Sequence, residues 1–166
     1  MNPGIGVRAV LLVACLMTAV ACSDSTTPTS PTLTPTPVLS LGGAWTGTLS
    51  VAGESECCRV NSWTATQTGA SITGPLVLDV GEGQTVTATL TGTVSGAQLT
   101  SATLTVAAGA IPDPELAACA FSGTGTLAAG ATSLSGPLAM VFPPACLGED
   151  RVSNTPTETW TLTLAK

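Results

Sequence analysis

Apolar and polar residues alternate one by one along most of residues 41–166, and helical spacing is hard to find. Trp45, Gly47, Leu49 and Val51 are interleaved with Thr46, Thr48 and Ser50. Trp63, Ala65 and Gln67 form a second set, and Ile72, Gly74, Leu76, Leu78 and Val80 a third. Val86, Ala88, Leu90, Gly92 and Val94 alternate with threonines, and Ala102, Leu104 and Val106 follow. Phe121, Gly123, Gly125 and Leu127 come next, then Leu134, Gly136, Leu138, Met140 and Phe142, and last Trp160, Leu162 and Leu164. Successive side chains of a strand point to opposite faces, so this period of two predicts eight strands, each with one apolar and one Thr/Ser face.

The breaks between sets carry turn chemistry. Gly69-Ala70 has Gly first, as a type II′ hairpin prefers, and this register opposes Thr68 to Ser71 and Gln67 to Ile72. Gly96-Ala97 pairs Val94 with Leu99 in the same way; counting on from Leu99 then turns Leu104 outward, so a bulge is expected near Thr100 to Ala102. Ser71-Ile72-Thr73-Gly74-Pro75-Leu76 is echoed by Ser133-Leu134-Ser135-Gly136-Pro137-Leu138, which indicates related hairpins rather than a short-period solenoid.

Eight one-sided strands joined in sequence must bury their apolar faces together and pair their edges. The expected fold is therefore all-β, an eight-stranded antiparallel up-and-down β-barrel, with a two-sheet β-sandwich as the alternative. The immunoglobulin pattern of cysteines in facing strands around a Trp is absent. A membrane barrel would be apolar outside, whereas an interior of eight strands is filled by side chains, so here the Thr/Ser face is the outer one. In this topology the connections Ala52–Asn61, Gly81–Gln84, Ala108–Ala118 and Pro143–Thr157 share one end, and the short turns share the other, where the chain enters the first strand.

The chain ahead of the alternation has a different composition. Residues 1–21 have a basic start at Arg8 and an apolar run from Ala9 to Ala21, shorter than the ~20 residues that span a membrane. With a small-residue exit at Ala19-Val20-Ala21, this is the layout of a secretory signal peptide. Ala19-Val20-Ala21-Cys22 resembles the lipobox of bacterial lipoproteins, and Leu12-Val13-Ala14-Cys15 is a second match with a much shorter apolar centre. The resemblance implies that Cys22 is acylated with more than one chain and becomes the new N-terminus, which suffices for stable membrane anchoring. It also implies a cell-envelope location, the outer membrane in a Gram-negative cell, because Ser23 rather than Asp follows the cysteine. Ala-x-Ala also suits ordinary cleavage, but that leaves five cysteines, whereas acylation of Cys22 leaves four that can pair. Residues 22–40 are rich in Ser, Thr and Pro with little to bury, so they are expected to be a disordered tether. At ~3 Å per residue the stretch 23–39 could extend roughly 50 Å. Residues 41–166 are then one barrel domain, and its long-loop end points away from the membrane.

Gly43-Ala44-Trp45 at the head of the first strand, with the Thr-Gly and Ser-Gly hairpins, resembles the small calycin barrels, namely avidin-like domains and lipocalin-like bacterial protease inhibitors. The resemblance implies architecture; the polar residues with which avidins hold biotin have no match, and the C-terminal helix typical of lipocalins is absent.

Two features fall on the long-loop end. Cys57 and Cys58 lie in the first long connection, Cys119 closes the third and Cys146 sits in the last. Disulfide geometry disfavours bonding between neighbours, so two pairings are expected, 57–119 with 58–146 or 57–146 with 58–119. Each bond would stabilise by ~3–4 kcal/mol; a four-cysteine zinc site is the alternative in a less oxidising compartment. The second feature is charge. Glu54, Glu56, Asp79, Glu82, Asp113, Glu115, Glu149, Asp150 and Glu158 all map to this end, against Arg59 and Arg151. Loops are ordinarily solvated, and that accounts for such acids; the sharper reading is a Ca²⁺ site built from Glu149 and Asp150 with Glu54 or Asp113. No other cofactor is indicated.

Several chemistries are excluded. The chain has no His, its only Lys is Lys166, and no phosphate-cradling Gly-Lys motif occurs. A formal net charge of −6 disfavours nucleic acid. Catalysis is therefore not expected. Glycines at the inward positions 47, 74, 92, 123, 125 and 136 either mark barrel corners or leave a cup lined by Trp45, Trp63, Phe121, Phe142 and Trp160. The expected role is binding of a small apolar ligand or an envelope protein at the distal end; the alternative is a non-binding structural or surface-display module.

Overall fold

The computed structural model describes residues 38–51, 56–148 and 152–166. The signal peptide, Cys22 and residues 22–37 of the tether lie outside them. Eight strands occur in chain order: β1 (Gly43–Val51), β2 (Glu56–Thr68), β3 (Ser71–Gly81), β4 (Gln84–Ser95), β5 (Gln98–Val106), β6 (Phe121–Ala129), β7 (Ser133–Val141) and β8 (Thr157–Ala165). Each pairs antiparallel with the next and β8 returns to β1, closing an up-and-down barrel without a sandwich seam. Two short 3₁₀ turns, Pro114–Leu116 and Pro144–Cys146, lie in the long connections. Among the described residues no helix is long and apolar enough to cross a membrane.

Alternation becomes burial directly. In β4, Val86, Ala88, Leu90 and Val94 are buried between exposed threonines. The same inward row gathers Leu49, Leu76, Leu99, Leu104, Leu127, Leu134, Leu138 and Leu162, all inaccessible to solvent. Burying each such leucine contributes about 1.5–3 kcal/mol. The hairpins follow the expected register: Thr68 opposes Ser71, Gln67 opposes Ile72, and Val94 opposes Leu99. Gly69 and Gly96 have φ of 60° and 57°, while the alanines after them stay at negative φ, as a type II′ turn requires.

Bulges set where alternation slips. Thr91 opposes Thr103 and Thr93 opposes Thr100, so Ser101 and Ala102 together face Gly92. Ser101 takes the strain with φ of 50°, and Leu104 thereby returns to the core with Ala102. A second bulge places Asn61 and Ser62 between the inward residues Val60 and Trp63. No glycine announces this one. It breaks the period of two, which is why the sequence pattern stops at Trp63 whereas the strand runs back to Glu56. Cys57 and Cys58 therefore stand in β2, not in a loop. A third irregularity between Asp79 and Gly81 takes Val80 out of the core to 40% exposure, against its expected inward position.

The short-turn end is sealed by the residues that precede β1. Leu41 is fully buried, Leu39 packs against the core, and the Gln67 side chain bridges them, accepting from Leu41 N (2.6 Å) and donating to Leu39 O (2.9 Å). Packing thus begins two residues ahead of Leu41. Gln67, expected inward, is half-buried and serves as this clamp. Lys166 lies over the Trp45 ring, its Nζ 4.7 Å from the centroid, and its amide donates to Thr132 O.

Candidate functional site

The antiparallel order places the connections after β1, β3, β5 and β7 at one end of the barrel. The last two are the long ones among the described residues. Each carries a 3₁₀ turn and a buried cysteine, and Cys119 is bonded to Cys146 with Cα atoms 4.9 Å apart. This overturns both pairings expected from the sequence, each of which joined Cys57 or Cys58 to these positions. The physical reason is placement: the tandem cysteines belong to β2, on the far side of the ring from β6 and β7, whereas Cys119 ends the connection into β6 and Cys146 lies early in the connection that leaves β7, the strand next to β6. Cys58 is buried opposite Leu49 and is itself disulfide-bonded, with neither Cys119 nor Cys146 as its partner.

The five aromatics expected to line one cup form two separate clusters. Trp45 and Trp63 meet at a tilt with centroids 6.0 Å apart toward the short-turn end; their Nε1 groups donate to Leu41 O (2.8 Å) and Gly74 O (3.3 Å), and both rings are sealed from solvent. Phe121, Phe142 and Trp160 meet beneath the clamped connections, with centroids 5.0–6.0 Å apart. Among the described residues the space at these glycines is already taken. A Cβ on Gly47, Gly74 or Gly125 would overlap the carbonyl oxygen of Thr163, Thr64 or Pro137 on the neighbouring strand. The space over Gly92 is filled by Leu99 and that over Gly123 by Met140. These positions mark close strand approach and interlocking, the first of the two readings.

Glu158 organises the return from the last connection into β8. Its carboxylate accepts from Trp160 Nε1 (2.8 Å), Thr155 Oγ1 (3.2 Å) and the Ser153 hydroxyl. Burial pushes this carboxyl up, but the bonds from Ser153, Trp160 and Thr155 outweigh it and hold Glu158 below its ordinary value. Ser153 is the buried polar side chain of this region; its amide donates to Cys146 O, and Gly148 N donates to Ser153 O. The carboxylate, the serine and the disulfide therefore tie one connection to β8 and to the other connection. The sequence offers no spacing rule for this arrangement, and Glu158 stood there only as one acid among nine.

The remaining acids have local duties where they are described. Asp113 caps the first 3₁₀ turn by accepting from Glu115 N (2.8 Å), and Asp79 accepts from Gly81 N (3.0 Å). Among the described residues no group of three His, Cys, Asp or Glu could hold a metal ion. Of the proposed Ca²⁺ ligands, Glu54, Glu149 and Asp150 lie outside the described residues, and Asp113 is committed to its cap.

The outer wall near this end carries a shallow apolar groove of about 410 Å³, lined by Thr105, Val106, Phe121, Ser122, Val141 and Pro143. Thr105, Ser122 and Val141 are opposed across β5, β6 and β7. Alternation turns Val141 outward between the inward Met140 and Phe142, to 56% exposure.

No protein-family model matches the sequence, and a search of curated proteins finds no relative. Among solved structures, the chain is similar to a redesigned β-barrel, mFAP1, in a structure bound to DFHBI, at 16% identity and a TM-score of 0.46, over 76% of this chain and 94% of that one.

Proposed function

We propose that the protein is a lipid-anchored envelope lipoprotein, held by acylated Cys22, whose barrel presents its disulfide-clamped end to a binding partner without catalysing a reaction. The anchor rests on the resemblance of Ala19-Val20-Ala21-Cys22 to a lipobox; the observation that supports the binding end is the asymmetry of the barrel. One end has turns of two or three residues and a sealing clamp; the other carries the long β5–β6 and β7–β8 connections, fixed by Cys119–Cys146 and Glu158. Binding residues concentrate on loops that a rigid scaffold positions. The packed interior favours recognition on the rim or outer wall over an enclosed apolar ligand. The same packing supports, as second reading, a display module that binds nothing.

Native mass spectrometry of the mature protein extracted from its own envelope tests this. An N-terminal mass with acyl chains on Cys22, and a partner lost on Glu82→Lys with Glu115→Lys, is the expected result. A bare lipidated chain favours the display reading. An unlipidated chain starting at Cys22 refutes the anchor.

A further inference from the structure

We infer that the groove around Val141 seats a basic segment of a protein partner that inserts one or two small apolar side chains; this rests on the reading of the clamped end as the binding end. Val141 is the most exposed of the large apolar side chains described, ahead of Val38 at 50% and Val80 at 40%. Val38 precedes the packed Leu39 at the chain entrance, whereas Val141 lies in a groove with Pro143 and Phe121. The groove is open and at the small end of the range for enclosed ligand sites, so it fits side chains of a surface segment better than a buried molecule. Its walls continue into the two connections joined by Cys119–Cys146, so little ordering is needed on binding.

The charge pattern selects the partner's chemistry. Strands β4, β5, β6 and β7 contain no charged residue, so an apolar anchor entering there strips no charge of water. At the rim beside them, the described acids Asp79, Glu82, Asp113, Glu115 and Glu158 are set against Arg59, while Lys166, the other described cation, lies over Trp45 at the opposite end. Such a field steers a cationic segment inward and repels an acidic one.

The test is a titration of the isotope-labelled mature domain, followed by amide NMR, with three short peptides: lysines flanking Leu-Leu, lysines flanking Gly-Gly, and glutamates flanking Leu-Leu. The lysine–leucine peptide is expected to shift Thr105, Ser122 and Val141 selectively, more weakly at high salt, and the other two to shift them little. Val141→Thr should weaken binding about tenfold, the loss of one apolar anchor. Val141→Lys should abolish it, and Val38→Lys should leave it unchanged. Equal binding of the acidic peptide, shifts centred elsewhere, or insensitivity to both Val141 variants overturns the assignment. A partner recovered from the native envelope that Val141→Lys does not release would overturn this surface while leaving the binding end in place. No native partner and no peptide shift would remove both.

Discussion

Removing the Cys119–Cys146 bond should cost more than any loop substitution, and the cost can be worked from chain connectivity. The bond closes a loop of sequence separation 27. Restricting the unfolded chain by a loop of that length stabilises the fold by about 3.6 kcal/mol. Both cysteines are fully buried, so Cys119→Ala with Cys146→Ala adds roughly 1 kcal/mol of lost packing at each site. The double variant should therefore lose about 4–6 kcal/mol. For a domain of this size each kcal/mol moves the midpoint by about 3–5 °C, so Tm should fall by at least 10 °C. Urea unfolding followed by tryptophan fluorescence is the assay, since Trp160 lies beneath the clamp and Trp45 and Trp63 report the other end. The denaturant slope should rise, because the uncrosslinked unfolded chain exposes more surface. A loss below about 1 kcal/mol with an unchanged slope would refute the loop-entropy argument.

Other predictions follow from the same packing. Gly47→Ala and Gly125→Ala should each cost at least 3 kcal/mol, because the added methyl meets backbone that cannot yield, whereas Gly123→Ala should cost less, since Met140 can change rotamer; thermal melts rank them. Ser101→Gly should stabilise by about 0.5 kcal/mol by relieving its left-handed backbone, read as a small rise in Tm. Glu158 is held below its ordinary carboxylate value, so its contribution is complete above the unfolded value and is lost as pH falls through the folded one. Glu158→Gln should flatten that acid limb in urea midpoints measured from neutral to strongly acid pH, and an unchanged limb would dismiss the role of the carboxylate.

The barrel was readable because its strands are one-sided. Threonine alternating with leucine or valine in β4 and β8 leaves one solution for each face, and the Gly-first hairpins fix the register between neighbours. The bulge at Ser101 could be deduced because two firm registers disagreed by one residue. The bulge at Asn61–Ser62 could not: no glycine marks it, and the stretch before it was too short to show its own period. That single slip hid the start of β2 and, with it, the placement of Cys57 and Cys58. The disulfide and the Glu158 cluster stayed hidden for a related reason. Both depend on how two irregular connections fold back, and alternation says nothing about backbone outside strands. Val141 was legible as outward-facing, but the groove beside it arises only when β5, β6 and β7 are aligned.

The pairing of β8 with β1 makes time part of this fold. Gly47 meets Leu164 and Val51 meets Trp160, residues at opposite ends of the domain, so the ring cannot close until the last strand has been synthesised and delivered. Until then β1 has an open flank and the inward leucines have no complete core. Sheets built from such distant contacts fold slowly, on the order of milliseconds to seconds. A chain that remains unclosed while it is being made stays threadable, and loses its last few residues only at the cost of the whole ring.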